Sequence, residues 1–270
     1  MLAFESYQAS PYLFWFVCIL AAIAFSVSKS GFGGALASLS TPILLFVLPP
    51  KLVLGVLLPL FLLTDIWVVV LWRKWLNWRF LLIMCGFGVF GQLLGWLLFG
   101  YLSDRVLIGV IGFVGLITAL KYARRLVFPS GETSEEVAVR VMRRLWVRAF
   151  GWCGLSGMAS FLSLAGGIPA QIFLLPHGLP RQAFVGTMGV YFFVINSAKL
   201  PFYSDLGLFT PDTLTLSLWL VPVIPVGVFI GKWLNQKMSD RIFYHFSHAV
   251  LFLMSIKLLY DVTWGGIGTS

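Results

Sequence analysis

Ser28-Lys-Ser-Gly-Phe-Gly-Gly34 interrupts the first long apolar stretch of the chain with small residues and a lysine. Glycine costs about 1 kcal/mol relative to alanine inside a helix, so several glycines together favour a break or a sharp turn. A helix broken inside a bilayer leaves backbone groups that are tolerated only where protein or a water-filled cavity covers them. The stretch Ser160-Phe-Leu-Ser-Leu-Ala-Gly-Gly-Ile-Pro169 repeats this composition. Two such interruptions at matching places indicate a binding site between two halves.

The composition is that of a membrane protein. Of the 270 residues, 59% are hydrophobic and only 11% are charged, whereas soluble domains carry about 25% charged residues. Several apolar runs approach the roughly 20 residues that a helical span requires. The net charge of +9 lies in short loops and one linker, as expected for cytoplasmic loops, and predicts no nucleic-acid partner. We therefore predict an all-α polytopic membrane protein surrounded by the lipid bilayer.

An internal repeat divides the chain. Two motifs recur with an offset of 136 positions and no gap: Gly91-Gln-Leu-Leu-Gly95 returns as Gly227-Val-Phe-Ile-Gly231, and Ser103-Asp-Arg105 returns as Ser239-Asp-Arg241. Upstream, residues 49–55 match residues 180–186 with an offset of 131. A single GxxxG pair is common in membrane helices, but several features in register are not. The pattern predicts an N-terminal repeat over 1–125, a basic linker over 126–144 and a C-terminal repeat over 145–270. Each repeat contains about five helical segments, including one glycine-interrupted hairpin.

Loop charges predict that the two repeats are inverted. The loop Arg73–Arg79 is basic, whereas its counterpart Ser204–Asp212 contains two aspartates and no basic residue. Because positive loops stay in the cytoplasm, equivalent loops of opposite charge lie on opposite faces. With the linker 124–148 in the cytoplasm, both termini are external. The predicted location is the cell inner membrane, crossed several times.

The interruptions supply the candidate substrate site. A lysine at the bilayer centre costs about 2.5–3.5 kcal/mol or more and is usually functional. Lys29, together with exposed N–H groups at a helix start, would bind an anion; alternatively, its side chain extends to the membrane surface. The residues of the two interruptions expected to line the site are Ser28, Lys29, Ser30, Gly31, Gly33, Gly34, Ser160, Ser163, Gly166, Gly167 and Gln171.

Asp65 and Asn196 occupy matching positions of the two repeats. An ionised carboxylate in the middle of an apolar run is expensive, so Asp65 either takes up a proton or pairs with a cation. The first case makes Asp65 the proton-coupling residue. In the second case, Lys199 is the candidate structural partner. Asn196 and Lys199 are three residues apart on one helix face, so both join the predicted substrate site.

Several classes of function lack their motifs. The chain has no HExxH, Walker A or G-x-S-x-G motif, which argues against an enzyme and against ATP hydrolysis. Cys18, Cys85 and Cys153 occur singly, without metal-ligand spacing. We therefore expect no metal site and no cofactor. His177 falls in a short turn, where solvent exposure is expected.

The motifs resemble those of the TauE/SafE sulfite exporter family. The residues that carry the resemblance are Gly33-Gly34 with Pro42-Ile-Leu-Leu, Pro50-Lys-Leu-Val-Leu-Gly55, Gly154-Leu-Ser-Gly157, Gly166-Gly-Ile-Pro169 and Ala183-Phe-Val-Gly-Thr187. The resemblance extends over nearly the whole chain. It implies a bacterial-type inner-membrane permease that moves sulfite, sulfoacetate or a related organosulfur anion by ion coupling.

These observations predict a secondary active transporter for a small anion, coupled to protons, with export as the direction that the family implies. Two alternatives from other classes remain. A passive anion channel would conduct without responding to a pH gradient, and a membrane assembly or scaffold protein would show no flux. The oligomeric state, monomer or homodimer, stays open.

Overall fold

The computed structural model describes residues 10–98, 104–127 and 142–264, and every regular element in these ranges is helical. The α-helices are α1 (Pro11–Phe32), α2 (Ser40–Leu44), α3 (Pro50–Trp72), α4 (Trp78–Leu97), α5 (Asp104–Val127), α6 (Leu145–Ser163), α7 (Gly167–Leu174), α8 (Arg181–Asp205), α9 (Pro211–Leu220), α10 (Val223–Lys237) and α11 (Asp240–Thr263). Short 3₁₀ segments lie at Ala35–Leu39, Arg73–Trp75 and Leu175–His177. The predicted all-α fold is confirmed.

Within the described ranges, five helices are long and apolar enough to cross a membrane: α1, α3 with its following turn, α4, α8 and most of α11. A sixth span is possible if α9 and α10 are counted together, since they are bent by 49° at a short break. The break falls at Val221 and Pro222, where proline removes a backbone hydrogen bond. The chain is a multi-pass membrane protein.

Both interruptions end a helix in the same way. After α1, Gly33 and Gly34 have φ values of +70° and +90°, and the Gly34 N–H donates to the carbonyl of Ser28 at 3.0 Å. After α6, Leu164 has a φ of +57°, and the Ala165 N–H donates to the carbonyl of Ala159 at 3.3 Å. In both places a residue in the left-handed conformation ends the helix, and the N–H of the next residue bonds back to a carbonyl near the helix end, which satisfies a group that the helix itself leaves free. The backbone therefore breaks at matching positions of the two repeats.

Each break turns the chain back on itself. The residue pairs Phe25–Phe61 and Lys29–Asp65 both join α1 to α3 and advance together along the two helices, so α1 and α3 run parallel. The pairs Ser156–Tyr191 and Ser160–Lys199 show the same relation between α6 and α8. Parallel neighbours require a reversal between them, which α2 provides in the first half and α7 in the second. The predicted glycine-interrupted hairpins are present.

The two halves pack through matching helices. Trp72 lies against Gly186 and Asp65 against Asn196, so α3 and α8 run antiparallel. Elsewhere α1 packs on α10 and α4 packs on α6. Antiparallel matching helices agree with the inverted repeat, which stays a prediction together with its orientation in the membrane. Most of the predicted linker (128–141) and both chain ends lie outside the described residues.

The two GxxxG motifs bring helix backbones into close contact. Gly91 of α4 faces the Gly154 carbonyl of α6, and Gly231 of α10 faces Val27 and Gly31 of α1. Each motif therefore packs on the interrupted helix of the opposite half. Small residues at such crossings let helices approach closely, and the resulting van der Waals packing contributes to helix association in lipid.

Replacing Gly91 with alanine is expected to destabilise the protein by about 1–3 kcal/mol, because the added methyl group would collide with the Gly154 carbonyl. Gly86→Ala is the matched control on the same helix, since nothing lies within 4 Å of its added carbon. That variant should be unchanged or more stable by up to about 1 kcal/mol. Thermal unfolding in detergent measures both, and equal midpoints would contradict the close crossing.

Candidate functional site

The broken end of α1 is capped by side chains from three other helices. Carbonyls in the last turn of a helix have no N–H partner within the helix and need one elsewhere. Here Trp72 Nε1 donates to Ser30 at 3.2 Å, Asn235 Nδ2 to Gly31 at 2.8 Å and Gln171 Nε2 to Phe32 at 2.8 Å. These bonds let α1 end inside the protein and hold the break in one position.

The broken end of α6 is capped in an equivalent manner. Tyr203 donates its hydroxyl to the Phe161 carbonyl at 2.9 Å, and the repeat places Tyr203 and Phe161 at the positions of Trp72 and Ser30. Lys199 Nζ donates to both the carbonyl and the hydroxyl oxygen of Ser160, each at 3.0 Å. Tyr203 and Lys199 therefore cap the end of α6, and Lys199 is a basic side chain.

A buried ion pair lies between the interruptions. Lys29 Nζ is 2.6 Å from Asp65 Oδ1, and the side chains of Lys29 and Asp65 are 4% and 1% exposed. Asn196 Nδ2 donates to the other oxygen, Asp65 Oδ2, at 2.6 Å. Asp65 and Asn196 are 131 positions apart, which is the offset of the repeat, so matching residues of the two halves meet. Both carboxylate oxygens thus accept a strong hydrogen bond.

Lys199 forms no ion pair with a carboxylate of the described residues. The ion pairs among the described residues are Lys29–Asp65 and Arg181–Asp240, and Lys199 is fully buried. With all groups ionised, the central polar cluster (Lys29, Asp65, Ser160, Asn196 and Lys199) carries two positive charges and one negative charge. Where Lys199 carries its proton, the cluster has one positive charge in excess, and that charge favours an anion beside it.

Aromatic rings border the two lysines. Lys29 Nζ lies 4.3 Å from the ring centre of Phe61 and 5.5 Å from that of Phe192, and Lys199 Nζ lies 6.0 Å from that of Tyr203. Phe61 and Phe192 are again matching residues of the repeat. Ring faces attract ammonium groups and exclude water, which strengthens the electrostatic interactions within the cluster.

A family model described as Sulfite exporter TauE/SafE matches residues 17–258. The chain belongs to the TauE/SafE sulfite exporter family. The matched range contains both interruptions and every residue of the central polar cluster. No curated protein and no solved structure gives a significant match. Membership makes this TauE/SafE protein a membrane transporter for sulfur-containing anions, which is consistent with the expectation that it is not an enzyme.

In this TauE/SafE protein, five of the predicted site residues come together: Lys29, Asp65, Ser160, Asn196 and Lys199. Ser28, which precedes Lys29 in the chain, is fully buried, and its hydroxyl has no hydrogen-bond partner. Gln171 caps α1 through its amide nitrogen, while its amide oxygen is also unpartnered. These groups can accept or donate toward a ligand.

The other predicted site residues shape the backbone. Ser30 donates to the Val228 carbonyl at 2.8 Å, and Gly31 packs against Gly231. The remaining predicted glycines lie at the breaks. Gly33 packs against Phe184, and Gly34 packs against Phe192 and the aliphatic part of Lys29. At the second break, the Gly166 carbonyl accepts a hydrogen bond from the Ser156 hydroxyl, and Gly167 begins α7. Ser163 is the last residue of α6, and its side chain lies outside the described residues.

Two of the alternatives considered for the lysines are wrong. Asp65 pairs with Lys29 and not with Lys199, because parallel packing of α1 and α3 places Lys29 beside Asp65. Lys199 lies one turn beyond Asn196 and is directed at α6 instead. Lys29 also does not extend to the membrane surface, since it is almost fully buried. In the described ranges, no group of His, Cys, Asp and Glu side chains forms a metal site.

Proposed function

We propose that this protein is a proton-coupled secondary transporter that exports sulfite, sulfoacetate or a related small organosulfur anion. The anion would bind at the central polar cluster, between the two interrupted helices. The observation that carries the proposal is Lys199, a fully buried lysine that hydrogen-bonds to Ser160 and forms no ion pair within the part of the chain that the structure describes.

Lys199 supplies the charge for anion binding. An ammonium group has three N–H donors, and the carbonyl and hydroxyl oxygens of Ser160 occupy two of them. The third donor can point at an anion oxygen. Because the surroundings are apolar and aromatic, this charge-assisted hydrogen bond is stronger than it would be in water.

The Lys29–Asp65 pair supplies the coupling. While Asp65 is ionised, it neutralises Lys29. A proton on Asp65 removes the negative charge, so Lys29 becomes a second unpaired cation beside Lys199. An anion then binds more tightly, and the bound anion in turn favours the protonated carboxyl group. Proton and anion therefore load together and leave together.

This coupling is compatible with export. A doubly charged anion that travels with one proton carries a net charge of −1. An inside-negative membrane potential drives that complex outward, with about 2.3 kcal/mol per charge for each 100 mV. The gradients across the membrane, and not the site itself, set the direction.

Uptake into proteoliposomes tests the proposal. We expect purified protein to move sulfite and sulfoacetate faster than empty liposomes, with taurine as a comparison because its amino group adds a positive charge. Flux that ignores a pH gradient would favour the passive anion channel. The absence of flux for all three compounds would favour the scaffold alternative.

The inverted arrangement gives a separate prediction. In a variant without Cys18, Cys85 and Cys153, single cysteines at Lys74 and Ser204 should react from opposite sides of the membrane, with Lys74 cytoplasmic. Both positions are exposed, so an impermeant maleimide reaches each from its own side. Labelling of both from the same side would refute the inverted repeat.

A further inference from the structure

A second group of basic side chains lies where the hairpin of the second half returns to the surface. It consists of Arg79 at the start of α4, Arg148 at the start of α6, and His177, which follows α7. We refer to these three residues as the outer basic cluster. Sequence reasoning placed His177 in solvent, but the ring is half-buried. None of the three belongs to the central polar cluster.

Packing fixes the position of these side chains. The imidazole of His177 lies 4.2 Å from the ring centre of Phe80 and 5.2 Å from that of Phe173. Arg148 Nη2 donates to the Ile172 carbonyl at 3.1 Å, in the last turn of α7. Phe80 follows Arg79 directly in the chain, so α4, α6 and α7 meet at this point.

The cluster holds polar atoms that are buried and unused. Arg148 Nε and His177 Nε2 have no hydrogen-bond partner. Unsatisfied buried donors are costly, and each one in a folded protein calls for a ligand, an ion or a water. Neither Arg79 nor Arg148 takes part in an ion pair of the described residues. Among the described residues, no carboxylate pairs with either of these two positive charges.

The electrostatic environment of His177 agrees with this picture. Burial, and then the charges of Arg148 and Arg79, lower the pKa of His177 to about 4. The imidazole is thus neutral near pH 7 and can carry its proton on Nε2, which makes that atom a hydrogen-bond donor. Both arginines are close enough to His177 to act on it electrostatically, so two cations and one neutral imidazole lie near one another.

We propose that the outer basic cluster is a second anion site, which takes a small sulfur oxyanion such as sulfite. Arg148 Nε and His177 Nε2 would donate to the oxyanion, and Arg79 would contribute charge from the exposed side. Arginine binds oxyanions more specifically than lysine does, because its planar donors match their geometry. Lys74 lies in the same basic loop as Arg79 and is exposed, but no buried side-chain atom of residues 73–76 stands without a hydrogen-bond partner.

The role of this site rests on the proposed function. Arg148 and Ser160 both lie on α6, 12 residues apart, which is about 18 Å along a helix. The paired arm α7 carries Gln171 and the carbonyl that binds Arg148. An anion bound at the outer basic cluster would therefore lie at the surface end of the α6–α7 hairpin, and Lys199 would lie at its inner end.

Calorimetric titration of the full-length protein in detergent with sulfite tests the site. We expect two binding events in the wild type. Arg79→Gln and Arg148→Gln should each weaken one of them by about tenfold or more, whereas Lys199→Met should abolish the other. Lys74→Gln, which removes an exposed positive charge from the same face, is the matched control and should change neither.

The outcomes separate the two proposals. Two unchanged binding events in both arginine variants would overturn the outer site and leave the central site intact. A single event that responds to Arg79 and Arg148 but not to Lys199 would confirm the outer site and refute the central one. If Arg148→Gln fails to unfold cooperatively, the exposed Arg79 decides alone.

Discussion

Lys29→Met is expected to destabilise the protein by about 3–5 kcal/mol, because it leaves the Asp65 carboxylate buried without its cation. Asn196 still donates one hydrogen bond, but an amide does not neutralise a charge. The double variant Lys29→Met with Asp65→Leu removes both charges. Replacing a buried pair by apolar residues is often neutral or stabilising, so the double variant should recover most of the loss.

Arg181→Met provides the control for this comparison. It breaks the Arg181–Asp240 pair, which has a similar distance of 2.8 Å but whose side chains are 19% and 51% exposed. Exposed pairs contribute less than about 1 kcal/mol. Denaturant or thermal unfolding in detergent compares all three variants. Equal losses for Lys29→Met and Arg181→Met, or no recovery in the double variant, would contradict a desolvated Lys29–Asp65 pair.

Lys199→Met is expected to lower sulfoacetate flux in proteoliposomes by about thirtyfold or more. Removal of one charged partner from a buried, hydrogen-bonded anion contact costs about 2–5 kcal/mol of binding. Methionine keeps most of the volume of the lysine stem, and Tyr203 still caps the Phe161 carbonyl. The variant should therefore insert and fold, although the Ser160 carbonyl loses a donor.

Lys51→Gln is the matched control for the flux measurement. Lys51 lies at the exposed start of α3. Its replacement by glutamine removes one positive charge, as Lys199→Met does, but from the protein surface. Its flux should equal that of the wild type at ordinary ionic strength. Normal flux in a folded Lys199→Met variant would show that anion transport does not depend on Lys199. Lys29 would then be the remaining lysine of the cluster that could bind the anion.

The repeat made part of this site predictable from sequence. An offset of 131 pairs Asp65 with Asn196 and Phe61 with Phe192, and matching residues of an inverted repeat meet where equivalent antiparallel helices cross. Asp65 and Asn196 do meet. The same offset marks the two phenylalanines, but nothing in the sequence indicates that Lys29 lies between their rings.

The partner of each lysine could not be predicted. Which residue faces Asp65 depends on the relative direction and axial shift of α1, α3 and α8, and composition determines none of these. The same limit applies to the caps of the broken helices. Glycine and serine content predicted where α1 breaks, but not that Trp72, Asn235 and Gln171 would bind its last carbonyls.

His177 shows a different kind of error. A histidine beside proline and glycine is usually exposed, and the sequence carries no sign of the two phenylalanine rings that enclose this one. Burial there comes from α4 and α7, which are distant in sequence. Local turn propensity was therefore outweighed by tertiary packing.

Proton movement driven by an anion gradient tests the central claim most directly. Proteoliposomes loaded with a pH-sensitive dye receive an inward sulfoacetate gradient, and sulfoacetate is suitable because its sulfonate stays ionised and does not cross the bilayer unaided. For the wild type we predict that the interior acidifies as the anion enters, and that Asp65→Asn binds the anion but moves no protons with it. Anion entry without any pH change in the wild type, or unchanged proton movement in Asp65→Asn, would contradict coupling through the Lys29–Asp65 pair.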